Sequence, residues 1–218
     1  MGTKERKKRE RKRRKNQILD AAITLFQEQG FEQTTMDEIA SQAELSKGTL
    51  YLYYNDKATL YQAIKKKALD FLHQQFLKSF QQDMPGAVLV KDMMLTFLDL
   101  IQENVTFTKA MLLYEHINED EPKEHSIIED CTHIENEILM LIIRAIQIGI
   151  QDGSIRNKQS PKIQALQIGI QMQGMLQFCI TNTNTNTNTK GAQIMNEHDI
   201  SLTELMEQYL HTQFNYSE

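Results

Sequence analysis

The run Ser46-Lys47-Gly48-Thr49-Leu50-Tyr51-Leu52-Tyr53 gathers residue types suited to gripping a polyanion. Lys47 offers a cation, Gly48 lets the backbone approach a phosphate, and Thr49 has a hydroxyl to donate to a base edge or a phosphate. Tyr51 and Tyr53 add reach and apolar contact, while Leu50 and Tyr54, four apart, face inward. A second concentration of charge opens the chain. Residues 1–15 carry ten Lys/Arg against Glu5 and Glu10, a net of +8; the whole chain is −5, which leaves −13 on the rest. A basic arm on an acidic body suits a polyanionic partner at one end only, against the plainer reading of a solvated tail. A third candidate is the line His125, Glu129, His133 near Cys131, residue types that ligate zinc or iron. At about 100° per residue this line lies opposite the apolar face of Ile127, Ile134, Ile138 and Leu141, and Cys131 falls with that face. A solvated helix face accounts for it, so neither a metal nor a cofactor is expected. The chain has no G-x-S-x-G, no H-E-x-x-H and no phosphate-cradling glycine loop, and it is not expected to be an enzyme.

The elements that position these residues read as helices throughout. The 218 residues are 40% hydrophobic and 24% charged with only 3 Pro, which excludes a disordered chain and a Gly/Pro-rich β module. Two cysteines cannot form a disulfide framework, no apolar run is long enough to span a membrane, and no apolar stretch follows the basic start. The expected location is the cytoplasm. From Lys12, Ile18, Ala22, Leu25 and Phe26 recur at helical spacing until Gly30 stops them. Thr35-Met36-Asp37-Glu38 is a capping box opening a short helix with Met36, Ile39, Ala40 and Ala43 inward, and Ser46 caps the next. A long helix begins at Lys57, and others are expected over about 88–103, 106–117, 122–151, 161–180 and from Ser201. In the last of these, Leu202, Leu205, Met206, Tyr209 and Leu210 are expected inward. The repeat TNTNTNTNT at 181–189 has no apolar face and reads as a flexible loop. The expected fold is all-α with about nine helices.

Two short helices joined by a turn at Glu44-Leu45 form a helix-turn-helix, in which the second helix enters the DNA major groove. Residues 18–61 resemble the DNA-binding domain of the TetR family of transcriptional repressors. The resemblance is carried by Ile18, Ala21, Ala22, Leu25, Phe26 and Gly30-Phe31, then Thr34-Thr35, Ile39-Ala40 and Ala43. It continues through Ser46-Lys47-Gly48-Thr49-Leu50-Tyr51, Tyr54, Lys57 and Leu60. It implies that Thr35 holds a phosphate, that Ser46, Lys47, Gly48, Thr49, Tyr51 and Tyr53 lie in or beside the major groove, and that Lys57 binds a phosphate at a helix N-terminus. Two positions depart from the family pattern: Glu44 stands where glycine is usual, implying a non-glycine residue at positive φ, and Tyr53 stands where histidine is frequent. The base preference therefore does not carry over.

The resemblance further implies a C-terminal body that binds a small effector and dimerises. The expected division is a flexible basic arm over 1–15, a helix-turn-helix domain over 16–56 and an effector-binding and dimerisation domain over 57–218. The helix around 161–180 is apolar nearly all round, with Gly169 and Gly174 suited to a close neighbour. With 201–213 it would build a homodimer interface. Flexible methionines and their neighbours suggest a largely apolar pocket of Met94, Phe97, Met111, Tyr114, Met172, Met175, Phe178 and Cys179, Met93 being a further methionine of the same kind. The reading is a ligand-responsive regulator that represses at a palindromic operator on double-stranded DNA and is released by the effector. The rival is a metal-dependent helical-bundle enzyme, which places Glu-x-x-His motifs inward; this chain has none on a core face.

Overall fold

A computed structural model describes residues 2–113, 125–157, 159–183 and 189–214. Among them are ten helices and no strand: α1 (Thr3–Gln33), α2 (Met36–Gln42), α3 (Lys47–Tyr51), α4 (Lys57–Ser79), α5 (Gly86–Glu103), α6 (Val105–Leu113), α7 (His125–Asp152), α8 (Pro161–Thr183), α9 (Lys190–Glu197) and α10 (Leu202–Phe214). Pro122 and the centre of the Thr-Asn repeat lie outside the described residues.

Helix α1 runs back to Thr3, where the sequence reading begins a helix at Lys12 and expects a flexible arm. The arm contains Lys, Arg and Glu, good helix formers, and no Gly or Pro after Gly2 interrupts it. Glu10 accepts from Arg13 at 2.7 Å and from Arg14 at 3.1 Å across a single turn. At the other end Gly30 leaves helical geometry at φ 83°, a conformation that costs glycine little. Thr34, fully buried there, donates its hydroxyl to the Gly30 carbonyl at 2.7 Å.

Two hydrophobic cores share α4. The first joins Ile18, Ala22 and Phe26 of α1, Ile39 and Ala40 of α2, Leu50 of α3, Tyr54, and Leu60, Tyr61 and Ile64 of α4. The Tyr61 ring meets Phe26 and Phe31 edge-on at 5.7 and 4.9 Å. Leu50 and Tyr54 are buried as their spacing predicts, whereas Met36 is only half-buried. From Leu69 onward α4 packs into the second core with α5, α7, α8 and α10. The α5 face of Val90, Met94, Phe97, Leu98 and Ile101 is buried as expected.

In the body the structure corrects several sequence readings. Ile163, Leu166 and Ile170 are exposed, so α8 is apolar all round without being buried all round within the chain. Beyond their own turn of helix, no described atom lies within 4 Å of a Cβ built on Gly169 or Gly174, so none of the described helices closes on them. The close approach is elsewhere: a Cβ on Gly86 would collide with the backbone of Gly149, where α5 starts against α7. Asp152 and Ser154 cap that start, accepting from the Gly86 and Ala87 N–H groups at 2.8 and 3.0 Å. In α10, Met206 and Leu210 are buried and Leu202 and Tyr209 pack against the core as expected, Phe214 joins them, and only Leu205, 42% exposed, departs from the expected set. Helix α9 was unexpected; Thr189 caps it by accepting from the Ala192 N–H at 3.3 Å.

Candidate nucleic-acid interface and body cavity

The helix-turn-helix is held by polar caps at every corner. The Thr35 hydroxyl accepts from the Glu38 N–H at 3.2 Å, while Glu38 accepts from the Thr35 N–H at 2.7 Å and from its hydroxyl at 2.8 Å. Those hydrogen bonds from Thr35, backbone first, hold the Glu38 carboxyl below the usual range. Glu44 occupies the turn at φ 52°, the positive angle that replacing glycine implied, at a cost of about 1 kcal/mol. The turn is tied to α1 by Gln17, whose amide donates to the Ala43 carbonyl at 2.7 Å.

This framework presents Ser46, Lys47, Gly48 and Tyr51 on the surface, with Thr49 and Tyr53 half-buried beside them. Three of these groups are already engaged within the chain. Ser46 accepts from the Thr49 N–H at 3.2 Å and shares a 2.8 Å hydrogen bond with its hydroxyl. Lys47 sits against Asp37 of α2, with Nζ 2.8 and 3.0 Å from the two carboxylate oxygens. That hydrogen bond and charge raise the lysine's affinity for its proton. A Cβ on Gly48 would meet no described atom within 4 Å, so internal packing does not call for glycine there. Leu52 is 79% exposed next to Tyr51; the sequence reading passed over it because an isolated leucine in a helix normally turns inward.

Lys57, which the resemblance implies binds a phosphate, is already engaged within the chain. Its ammonium donates to the carbonyls of Phe31 at 2.8 Å and Glu32 at 3.2 Å, and lies 4.6 Å from the Phe31 ring centroid. These carbonyls follow the break at Gly30, where the α-helical ladder cannot satisfy them, so the cation fastens the end of α1 to the start of α4. Two of its three N–H groups are spent in this way. The basic arm is exposed from Lys4 to Arg13.

In the body, α4, α5, α6, α7 and α8 line a cavity of about 330 Å³ that opens to solvent. Of the expected pocket residues it brings together Phe97, Met111 and Met172, beside Leu69, Leu72 and Ile142. Met94 and Met175 are instead buried in the core, as is Met93. The cavity uses the α8 stripe of Gly169, Met172, Gln173 and Leu176, and Met175 lies on the adjoining face. Cys179 packs against the core, and Phe178 lies 3.3 Å from where a Cβ on Gly191 of α9 would sit. Tyr114 lies outside the described residues. The wall also carries Lys65 and Glu135, an ion pair at 2.8 Å that an apolar-stripe search passes over.

On α7, Glu129 and His133 are exposed and Cys131 is buried; the His125 side chain is not among those described. His133 lies 3.5 Å from Glu137, one turn on. Among the described residues no three His, Cys, Asp or Glu side chains are grouped to hold a metal ion, and no helix is long and apolar enough to cross a membrane.

Residues 18–64 match the family described as bacterial regulatory proteins, tetR family. Over 59 residues the chain is 39% identical to the biofilm operon icaADBC HTH-type negative transcriptional regulator IcaR of Staphylococcus aureus (strain Newman), which covers 27% of this chain and 32% of that protein. The chain thus spans about a third of that relative's length. It is 26% identical over 162 residues to the HTH-type transcriptional repressor BepR of Brucella suis biovar 1 (strain 1330), covering 72% of this chain and 75% of the other. Among solved structures, FadR from Bacillus subtilis in complex with stearoyl-CoA superimposes with a TM-score of 0.64 at 18% identity, over 93% of this chain and 98% of that one. At that identity the likeness is one of fold.

Proposed function

We propose that the chain is a member of the tetR family of bacterial regulatory proteins, a transcriptional repressor that binds a palindromic operator as a homodimer and is released by a small effector. The observation that carries this reading is the surface of Ser46, Lys47, Gly48, Thr49, Tyr51 and Tyr53, raised by a capped helix-turn-helix. Gly48 is the telling position. A glycine inside a helix costs about 0.5–1 kcal/mol relative to alanine, and no contact among the described residues requires it here. A partner's backbone approaching closely does.

In this reading Thr35 and the third N–H of Lys57 reach phosphates, the α3 residues meet base edges, and the basic arm of 1–15 follows the DNA backbone. The helix-turn-helix domain is residues 16–56 and the effector and dimerisation domain 57–218. The head core extends beyond residue 56 to Leu60, Tyr61 and Ile64, so the two units share α4, which makes it the element through which the body can move the head. The effector occupies the α4–α8 cavity, whose wall is mainly apolar. Relatives named as repressors, and a FadR of similar fold solved with stearoyl-CoA, support a ligand-responsive repressor over the metal-dependent enzyme. Dimerisation uses Ile163, Leu166, Ile170 and Gly174, which follow one stripe of α8, together with Leu205 on α10. A DNA-binding regulator of this kind works in the cytoplasm.

The test is selection of bound duplexes from a random-sequence pool by the purified full-length chain. Enrichment of one inverted repeat is expected, its half-sites about one helical turn apart. A pool without an enriched sequence after repeated rounds contradicts the reading.

A further inference from the structure

Adjoining the main cavity is a second, of about 120 Å³, and the two share Lys65 and Glu135 in their walls. The two residues form a 2.8 Å ion pair joining α4 to α7, with the lysine side chain 14% exposed and the glutamate side chain 45%. The rest of the smaller cavity is lined by Gln62, Ile128, Cys131 and Thr132. Gln62 is 7% exposed, and its Oε1 is buried with no hydrogen-bond partner among the described residues. A buried amide oxygen left in that state costs free energy, and a donor arriving from outside recovers it.

We propose that the effector is an amphiphile whose apolar tail fills the larger cavity and whose small, neutral, hydrogen-bond-donating head, a primary amide or an alcohol, lies at Gln62 beside the Lys65–Glu135 pair. The proposal rests on the effector-binding reading above and adds the chemistry of the head. The tail faces Leu69, Leu72, Phe97 and Met172, which offer contact area without direction. Three features define the head. The Gln62 oxygen needs a donor. The Lys65 charge is already met by Glu135, so an added anion sets a like charge against Glu135 and an added cation competes with Lys65 for it. The thiol of Cys131, pushed up to about 11 chiefly by burial, stays neutral and supplies no counter-charge. A primary amide satisfies all three, giving an N–H to Gln62 and accepting from the ammonium with its carbonyl.

The position of this head group links it to the switch. Gln62 and Lys65 stand on α4 among Tyr61, Ala63 and Ile64, which belong to the core of the DNA-reading head. A ligand that reorients Gln62 acts within one turn of that core, while the tail acts further along the helix.

The experiment is calorimetry of the full-length chain at neutral pH with five probes sharing one decyl skeleton: decanamide, decan-1-ol, methyl decanoate, decanoate and decylamine. Decanamide and decanol are expected to bind about tenfold more tightly than methyl decanoate, which has the chain but no donor, and more tightly than either charged probe. In Gln62→Leu the advantage of amide over ester is expected to shrink to within about twofold, since the orphan acceptor is gone. Equal affinity for amide and ester, or tightest binding by decanoate or decylamine, overturns the head-group proposal while leaving the cavity as an effector site. Absence of heat from all five overturns the cavity reading and this proposal with it. The wild-type ranking decides by itself, so a Gln62→Leu chain that does not fold leaves the proposal refutable.

Discussion

The head and the body of this molecule solve opposite problems with the same kind of element. In the head, α1, the short α2 and α3, and the start of α4 surround a small core, and the corners are fastened by polar groups: Thr35 with Glu38, Ser46 with Thr49, Gln17 with the Ala43 carbonyl and Lys57 with the end of α1. Its chemistry is on the outside. In the body, long helices pack by apolar stripes, with Asp152 and Ser154 capping α5 from a distant part of the chain. Its chemistry is in the space the helices leave open. A surface that reads another polymer must hold its shape before it binds, whereas a cavity that responds to a ligand must be able to change.

The comparison breaks most readily at Gly86. Gly86→Ala drives a methyl into the Gly149 backbone, and neither side can yield without parting α5 from α7. A loss of about 3 kcal/mol is expected, read as a lowered midpoint in thermal unfolding. An unchanged midpoint would show that the body yields there at little cost. Next in size is removal of residues 1–12, seven basic side chains that are exposed wherever their burial is described. Thermal stability is expected to change little, while DNA affinity falls and the slope of log K against log salt flattens by about one unit for each phosphate no longer neutralised. Superimposable titrations at several salt concentrations would make the arm a solvated tail.

Smaller again is Asp37→Asn. Asp37 competes with DNA for Lys47, so its neutralisation is expected to tighten binding to all sequences by up to about fivefold, the scale of an exposed ion pair. Weaker binding would mean that Asp37 positions Lys47 productively. The smallest effect is one of pH. Burial works upward on the Asp152 carboxyl, but hydrogen bonds from Ser154 and the Gly86 N–H outweigh it and leave the group below its ordinary value. A depressed carboxyl contributes stability that is whole above its unfolded value, about 4, and is lost as pH falls through the lower folded value. Asp152→Asn is therefore expected to flatten the acid limb of stability against pH, and an unaltered limb would remove Asp152 from that account.

The head was legible from the sequence because its signals are local. A capping box, a glycine stop at Gly30 and an inward pair at Leu50 and Tyr54 each lie within a few residues, and even the positive φ of Glu44 followed from the family resemblance. In the body, periodicity shows that a helix has an apolar face but not what covers it. Ile163, Leu166 and Ile170, on a helix read as apolar nearly all round and as part of a homodimer interface, are exposed within one chain, while Met94 and Met175, read as pocket, lie in the core outside the cavity lining. Helix α9 was missed because KGAQIMNE is short and contains glycine, and its cap Thr189 is the last residue of a repeat that reads as a loop. Lys65, Glu135 and Gln62 were missed because a cavity's polar groups come from different helices and share no spacing.

The central claim is that α3 reads sequence. The most direct measurement is the affinity of full-length wild type, Thr49→Ala and Tyr53→Ala for a selected inverted-repeat duplex and for a random duplex at one salt concentration. The account predicts losses of about 1–3 kcal/mol on the selected site for each variant and little change on the random one, so that the ratio between the two duplexes collapses. Equal losses on both duplexes would contradict it, since Thr49 and Tyr53 would then be holding the DNA without reading it.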